Sequence, residues 1–178
     1  MDRELLERAR AGDREAFELI VVAKGEPLFR TALAILGNEA DARDATQEAF
    51  VSCWRSLSSV RDVDRFDAWL GRILINECRM TLRQRRRIRE LLVQQTADDD
   101  VVSISPASGG PDQLTDGSDF DAAFARLSVD QRAILVLHHL HGYGVREIGA
   151  WLGIPSGTVK WRLSRARSAL RAELGADA

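Results

Sequence analysis

Apolar residues recur along this chain at intervals of three and four, over stretches too long for a strand. Ala42, Ala45, Ala49, Phe50, Cys53, Trp54 and Leu57 make one such stripe; Phe66, Trp69, Leu70, Ile73, Leu74 and Cys78 make a second. That period places side chains on one face of a helix, whereas a half-buried strand alternates every second residue. The expected fold class is therefore all-α. At 178 residues the chain allows one large domain or two small ones. With 45% hydrophobic and 29% charged residues it is neither disordered throughout nor fibrous.

Punctuation divides the helices. Leu5, Leu6 and Ala9 suit a short first helix, and Asp13 is placed to cap a second carrying Phe17, Ile20 and Val21. Gly25 and Pro27 are expected to interrupt that helix, with Leu28 to Leu36 resuming it and Gly37 stopping it. Asn38 can cap the helix that carries Trp54. Residues 58–65 read as a polar loop, and the long helix after it ends in Arg83, Arg85, Arg86, Arg87 and Arg89.

Residues 94–118 hold three consecutive aspartates and a Ser, Gly and Pro-rich run. Such a composition buries too little apolar surface to offset chain entropy. It predicts a flexible acidic linker between a first domain at 1–93 and a second at 119–178. The net charge of -2 conceals a segregation. Residues 91–125 carry seven acidic and no basic residues, while 1–90 are net +1 and 126–178 net +4. A basic surface is a local property, so an acidic average does not exclude nucleic acid.

The second block reads as short helices. Ser128 with Gln131 forms a capping box, residues 141–144 form a turn, and Val145 to Leu152 form about two helical turns. Gly153 to Gly157 make a tight turn before a final helix with Val159, Leu163, Ala166 and Leu170 inward. Two short helices joined by such a turn, the second basic outside, make a helix-turn-helix. Its second helix must project so that its outer face enters the major groove, with N-terminal amides aimed at a phosphate. Ser156, Thr158, Lys160, Trp161, Arg162 and Arg165 are the candidate DNA-contacting residues there. The alternative is a plain helical hairpin with a solvated basic face.

A second candidate is the stripe Arg72, Asn76, Arg79, Arg83 and Arg87, which advances by three and four along one face. Arginines so placed can follow a phosphate backbone, and an asparagine can reach base edges. An arginine-rich helix C-terminus is also what the macrodipole favours. Asp41, Asp44 and Glu48 fall on the outer face of the Trp54 helix, which suits either dipole complementation or docking of a basic protein. His138, His139 and His141 lack the further ligands a zinc site needs, so no metal and no cofactor is expected. Trp54, Trp69 and Trp151 fit core stripes; Trp161 falls outside, where a large apolar residue suggests contact with something. Two cysteines, Cys53 and Cys78, make no disulfide framework.

With these motifs in place the chain resembles the bacterial sigma-70 family of transcription factors. The run Asp-Ala-Arg-Asp-Ala-Thr-Gln-Glu from position 41, continuing to Arg55, is similar to the polymerase-binding helix of region 2. Residues 66–79 with the arginine tail are similar to the adjoining promoter-reading helix. Residues 127–133 and 157–167 are similar to region 4. Two regions and a short linker resemble the extracytoplasmic-function (ECF) subgroup.

The resemblance implies that the first block binds the polymerase clamp and opens the downstream promoter element, and that the second reads the upstream element. By position, Asp41, Asp44, Gln47, Glu48 and Arg55 fall in the clamp-contact stretch. Arg61 and Arg65 fall in the loop that captures a flipped base, and Asn76, Arg79 and Arg83 in the downstream-reading stretch. A base can be read on its pairing edge only once it leaves the stack. Gly144 departs from the Ser or Thr that usually caps the first helix of the motif, and Trp161 from a small polar residue.

The expectation is a transcription initiation factor, not an enzyme, with RNA polymerase core, promoter DNA and an anti-sigma factor as partners. No stretch approaches the ~20 apolar residues of a membrane helix, and the N-terminus lacks a signal peptide pattern, so a cytoplasmic location is expected. Two other readings remain: a stand-alone helix-turn-helix regulator with a sensing domain, and a small metal-dependent enzyme using the histidines.

Overall fold

The computed structural model describes residues 2–60, 62–98 and 119–176. Among these there are eight α-helices and no strand. The first block comprises α1 (Arg3–Arg10), α2 (Arg14–Leu36), α3 (Glu39–Ser56) and α4 (Phe66–Asp98). The second comprises α5 (Asp119–Arg126), α6 (Val129–Leu135), α7 (Val145–Leu152) and α8 (Ser156–Ala176).

The expected caps are in place. The Asp13 carboxylate accepts from Ala16 N at 3.1 Å and the Asn38 amide oxygen from Asp41 N at 3.0 Å. These satisfy amide groups that a helix start leaves without partners. Gly37 ends α2 in the left-handed conformation. The Ser128–Gln131 capping box is closed in both directions. Beyond α6 the chain makes a π-helical turn at Val136–Leu140, which brings the three histidines to the end of the hairpin.

Three expectations are revised. Gly25 and Pro27 do not break α2, which runs continuously past both. A proline inside a helix costs about 3 kcal/mol and a glycine about 1 kcal/mol. Here Ile20, Leu28, Ala32 and Ile35 are all buried on either side of the pair, so packing outweighs propensity. The loop at 58–65 contains two short 3-10 turns, Leu57–Ser59 and Val63–Arg65, with Val60 buried between them. The expected linker begins too early, because α4 extends through residues 94–98. Its remainder, 99–118, lies outside the described residues.

The first block buries Leu6, Ile20, Ile35, Ala49, Cys53, Phe66, Leu70, Leu74 and Cys78. The second buries Ile134, Leu137, Ile148, Val159, Leu163 and Ala166. The two cores are continuous, because α7 packs on α4 and α6 approaches α2 and α4.

Candidate nucleic-acid interfaces and docking face

Two glycines with different duties shape the helix-turn-helix. Gly153 ends α7 with φ of +68°, a region that side chains with a Cβ rarely occupy. Gly149 lies inside α7, where a Cβ would fall 2.8 Å from the Ile154 carbonyl oxygen. The turn can therefore fold back closely enough for Ile154 N to donate to Gly149 O at 3.0 Å. At the other end of α7, Gly144 offers no side-chain cap, but Glu147 reaches back to accept from Gly144 N at 2.7 Å. Half of a capping box replaces the missing hydroxyl.

This turn launches α8 with Val159 and Ala166 fully buried and Leu163 nearly so. The opposite face presents Ser156, Lys160, Trp161 and Arg165 exposed, with Thr158 and Arg162 half-buried beside them. Trp161 is 58% exposed. The Arg165 guanidinium lies over its ring, 4.9 Å from the centroid. Such stacking holds a guanidinium flat and leaves its edge free to donate. Arg162 and Arg165 also line a small recess of about 220 Å³ with Gln131 and Ile134 of α6.

The stripe on α4 has a different environment. Arg72, Asn76 and Arg83 are exposed on one face, with Arg79 half-buried among them. Arg79 Nε donates to Asp130 of α6 at 2.8 Å, and its Nη1 to Asn76 Oδ1 at 2.5 Å. Arg72 Nη2 donates to the Ala150 carbonyl oxygen at 3.0 Å. Arg65 is exposed and paired with Asp62 at 3.0 Å. Arg61 lies outside the described residues.

On α3, Asp44, Gln47, Glu48 and Arg55 are exposed as expected of an outer face. Asp41 is not: it turns toward α4 and pairs with Arg85. The reason is that an acid at the start of α3 lies across from the arginine-rich end of α4. Beside the exposed residues runs an open groove of about 890 Å³ between α2 and α3. Phe17, Val21, Phe29, Phe50 and Trp54 line it, and Gln47 and Arg55 border it. The Phe17 and Trp54 ring centroids are 4.8 Å apart. The core placement of the α3 stripe holds for Phe50, which is buried, and in part for Trp54, which is half-buried against the core; the groove that both also line has no signature in the sequence period.

The histidines have neighbours rather than a shared focus. His138 Nδ1 lies 3.1 Å from the Tyr143 carbonyl oxygen, and His141 Nε2 lies 3.0 Å from Thr31 Oγ1. His139 Nε2 accepts from Arg167 Nε at 3.2 Å. Among the described residues no group of three or more His, Cys, Asp or Glu could hold a metal. Cys53 and Cys78 are buried and unpaired, and burial pushes both thiols up to about 12. Among the described residues no helix is long and apolar enough to cross a membrane.

The comparisons with known proteins agree with this geometry. Residues 21–88 match the family Sigma-70 region 2, and residues 118–170 match Sigma-70, region 4. The chain is 33% identical to the ECF RNA polymerase sigma factor SigM of Mycobacterium tuberculosis, over 98% of this chain and 85% of that one. It also resembles the structure of CnrH in complex with the cytosolic domain of CnrY. There the TM-score is 0.68 at 30% identity, covering 99% of each chain. A third likeness is to the sigma factor RpoE in complex with the anti-sigma factor NepR from Bartonella quintana. Its TM-score is 0.61 at 31% identity, covering 91% of this chain and 98% of that one. With both regions present in order and relatives matched over nearly the whole chain, this protein belongs to the ECF RNA polymerase sigma factors of the sigma-70 family.

Proposed function

We propose that the chain directs RNA polymerase core to promoters by dividing the work between its two blocks, and that it carries out no catalysis itself. The first block docks on polymerase and reads the downstream element; the second reads the upstream element. The observation that carries this reading is the pairing, in one chain, of an exposed basic face on α8 with a polar, arginine-rich stripe on α4.

Asp44, Gln47, Glu48 and Arg55 are assigned to polymerase docking. They border or adjoin the apolar groove of α2 and α3, so that a helical partner can bury Phe17, Phe50 and Trp54 while meeting a polar rim. Asp41 holds Arg85 and supports that surface from behind. Arg65, Asn76, Arg79 and Arg83 are assigned to downstream DNA, with Arg61 in the same loop by position. Ser156, Thr158, Lys160, Trp161, Arg162 and Arg165 are assigned to upstream DNA. An anti-sigma factor as regulator is supported by the similar RpoE, solved with the anti-sigma factor NepR. The site of action is the cytoplasm, where polymerase works.

Run-off transcription with purified core polymerase tests the reading. The chain should confer initiation from a subset of templates that core alone ignores, and base changes in either promoter element should lower it. Specific operator binding by the chain alone, with no effect on core, would establish the stand-alone regulator instead.

A further inference from the structure

The loop between α3 and α4 is anchored to the core at both ends, but its rim is held by α1. Leu57 and Val60 are buried at its start and Phe66 just after its end. Val60 N donates to Leu57 O at 3.1 Å, and on the far side Lys24 of α2 pairs with Asp67 at 2.7 Å. Between these anchors stands the 3-10 turn Val63–Arg65. The Asp62 carboxylate accepts from Asp64 N at 3.1 Å and pairs with Arg65 at 3.0 Å. An aspartate that bonds the amide two residues on closes a turn from within. None of these contacts uses the Asp64 carboxylate.

That carboxylate reaches out of the loop. Arg3 Nη2 donates to both of its oxygens, at 3.0 Å each, from 61 positions away in the sequence. Arg3 is the first residue of α1, and α1 is itself held in place. Asp2 caps it by accepting from Glu4 N at 3.0 Å, and Leu6 and Ala9 are buried. Arg8 pairs with Asp13 at the head of α2 at 2.7 Å. The helix touches both 3-10 turns of the loop. With Arg3 on Asp64, Arg65 has one bare carboxylate beside it, its own partner Asp62. Without Arg3, a second would stand in a loop that has to approach a polyanion.

We propose that Arg3 is a positioning residue for downstream promoter recognition: it neutralises Asp64 and seats the Val63–Arg65 turn where Arg65 meets DNA. Its meaning for promoters rests on the assignment of this loop to downstream DNA, whereas the brace does not. Both side chains are exposed, and an exposed ion pair adds little to global stability. The effect is local, on the seat of one turn, so it shows in discrimination rather than in melting.

The test compares the full chain with Arg3→Asp, with Asp64→Arg, and with the exchanged pair carrying both, which keeps the parent's net charge. An acid in the first turn suits the helix dipole, so α1 survives the change at position 3. Hydrogen-exchange protection of the Asp64 and Arg65 amides, corrected for side-chain identity, is measured in the free chain. Run-off transcription with core polymerase is measured on templates varied singly through the downstream and upstream elements.

Each single variant should lose ~3-fold in protection and a similar factor of discrimination at one downstream position, the scale of an exposed pair. Upstream preference, core affinity and melting should match the parent, and the exchanged pair should recover both losses. Protection unchanged in the single variants, or not recovered by the exchanged pair, would overturn the brace. Lost protection with discrimination intact would overturn the positioning role. So would a loss spread equally over every template, which would report a phosphate contact of Arg3 itself. If the parent initiates from no template while protection behaves as expected, the reading of the loop as a DNA contact fails and the brace stands.

Discussion

Trp151 of α7 rests with its six-membered ring against Gly71 of α4, across the boundary between the two blocks. The indole is only 8% exposed, and the Tyr143 ring also lies beside it, 5.4 Å away between centroids. One side chain therefore serves both the helix-turn-helix and the contact between blocks. Trp151→Ala should cost about 3–5 kcal/mol, as large aromatic truncations do. Urea denaturation followed by circular dichroism measures it. A cost under 1 kcal/mol would mean the indole is not packed as described.

The acidic residues of α3 should separate by role. Reversing Asp44 and Glu48 to Lys is expected to weaken binding to core polymerase with helical content unchanged, because both side chains are exposed. Asp41→Asn should behave differently, since its partner is Arg85 within the chain. It is expected to lower stability by about 1 kcal/mol, the scale of a partly exposed ion pair, and to alter polymerase binding less than the reversal. Pull-down affinities and melting curves on the same variants decide the matter.

The basic face of α8 should divide between base and backbone contacts. Arg162→Ala is expected to relax preference at one upstream position by about 1–3 kcal/mol. Arg165→Ala should weaken all promoters alike and flatten the salt dependence by about one unit. Because Arg165 lies over the Trp161 ring, Trp161→Ala should share the Arg165→Ala phenotype rather than that of Arg162→Ala. Leu163, on the opposite face, should instead cost ~2–5 kcal/mol of stability when cut to Ala. Transcription from singly varied promoters at several salt concentrations separates these outcomes.

Stability should fall as pH drops below about 6.5, the ordinary histidine value. Burial, followed by Arg30, lowers the pKa of His141. Burial, followed by Arg167 and then His138, lowers that of His139. Both are thus disfavoured as cations in the folded chain, so the unfolded chain binds more protons in that window and gains relative stability. The Arg167 donor also requires an unprotonated His139 Nε2. The urea midpoint should be lower at pH 5.5 than at 7.5, and His139→Gln with His141→Gln should flatten that difference. An equal pH dependence in the double variant would assign it to other groups.

Local chemistry made much of this fold legible. Asp13, Asn38, Gly37 and the Ser128–Gln131 box each act within a few residues of chain, and their positions follow from caps alone. The buried face of α8 follows from the period of Val159, Leu163 and Ala166. Contacts between blocks carry no such period. Trp151 fits a core stripe equally well whether it packs inside its own block or against Gly71. Asp41 looks like an outer-face acid until α4 brings Arg85 opposite it. Thr31 and His141, 110 positions apart, give no sign in the sequence that they meet. Pro27 misleads for the converse reason, since its local cost is outweighed by a core the local pattern does not show.

Permanganate reactivity of promoter thymines tests the central claim most directly, since it reports unstacked bases in the downstream element. Core polymerase with this chain should make those thymines reactive, while neither core nor chain alone should do so. Asn76→Ala with Arg79→Ala should abolish the reactivity even where upstream binding persists. Equal reactivity without the chain, or full reactivity in the double variant, would contradict the account.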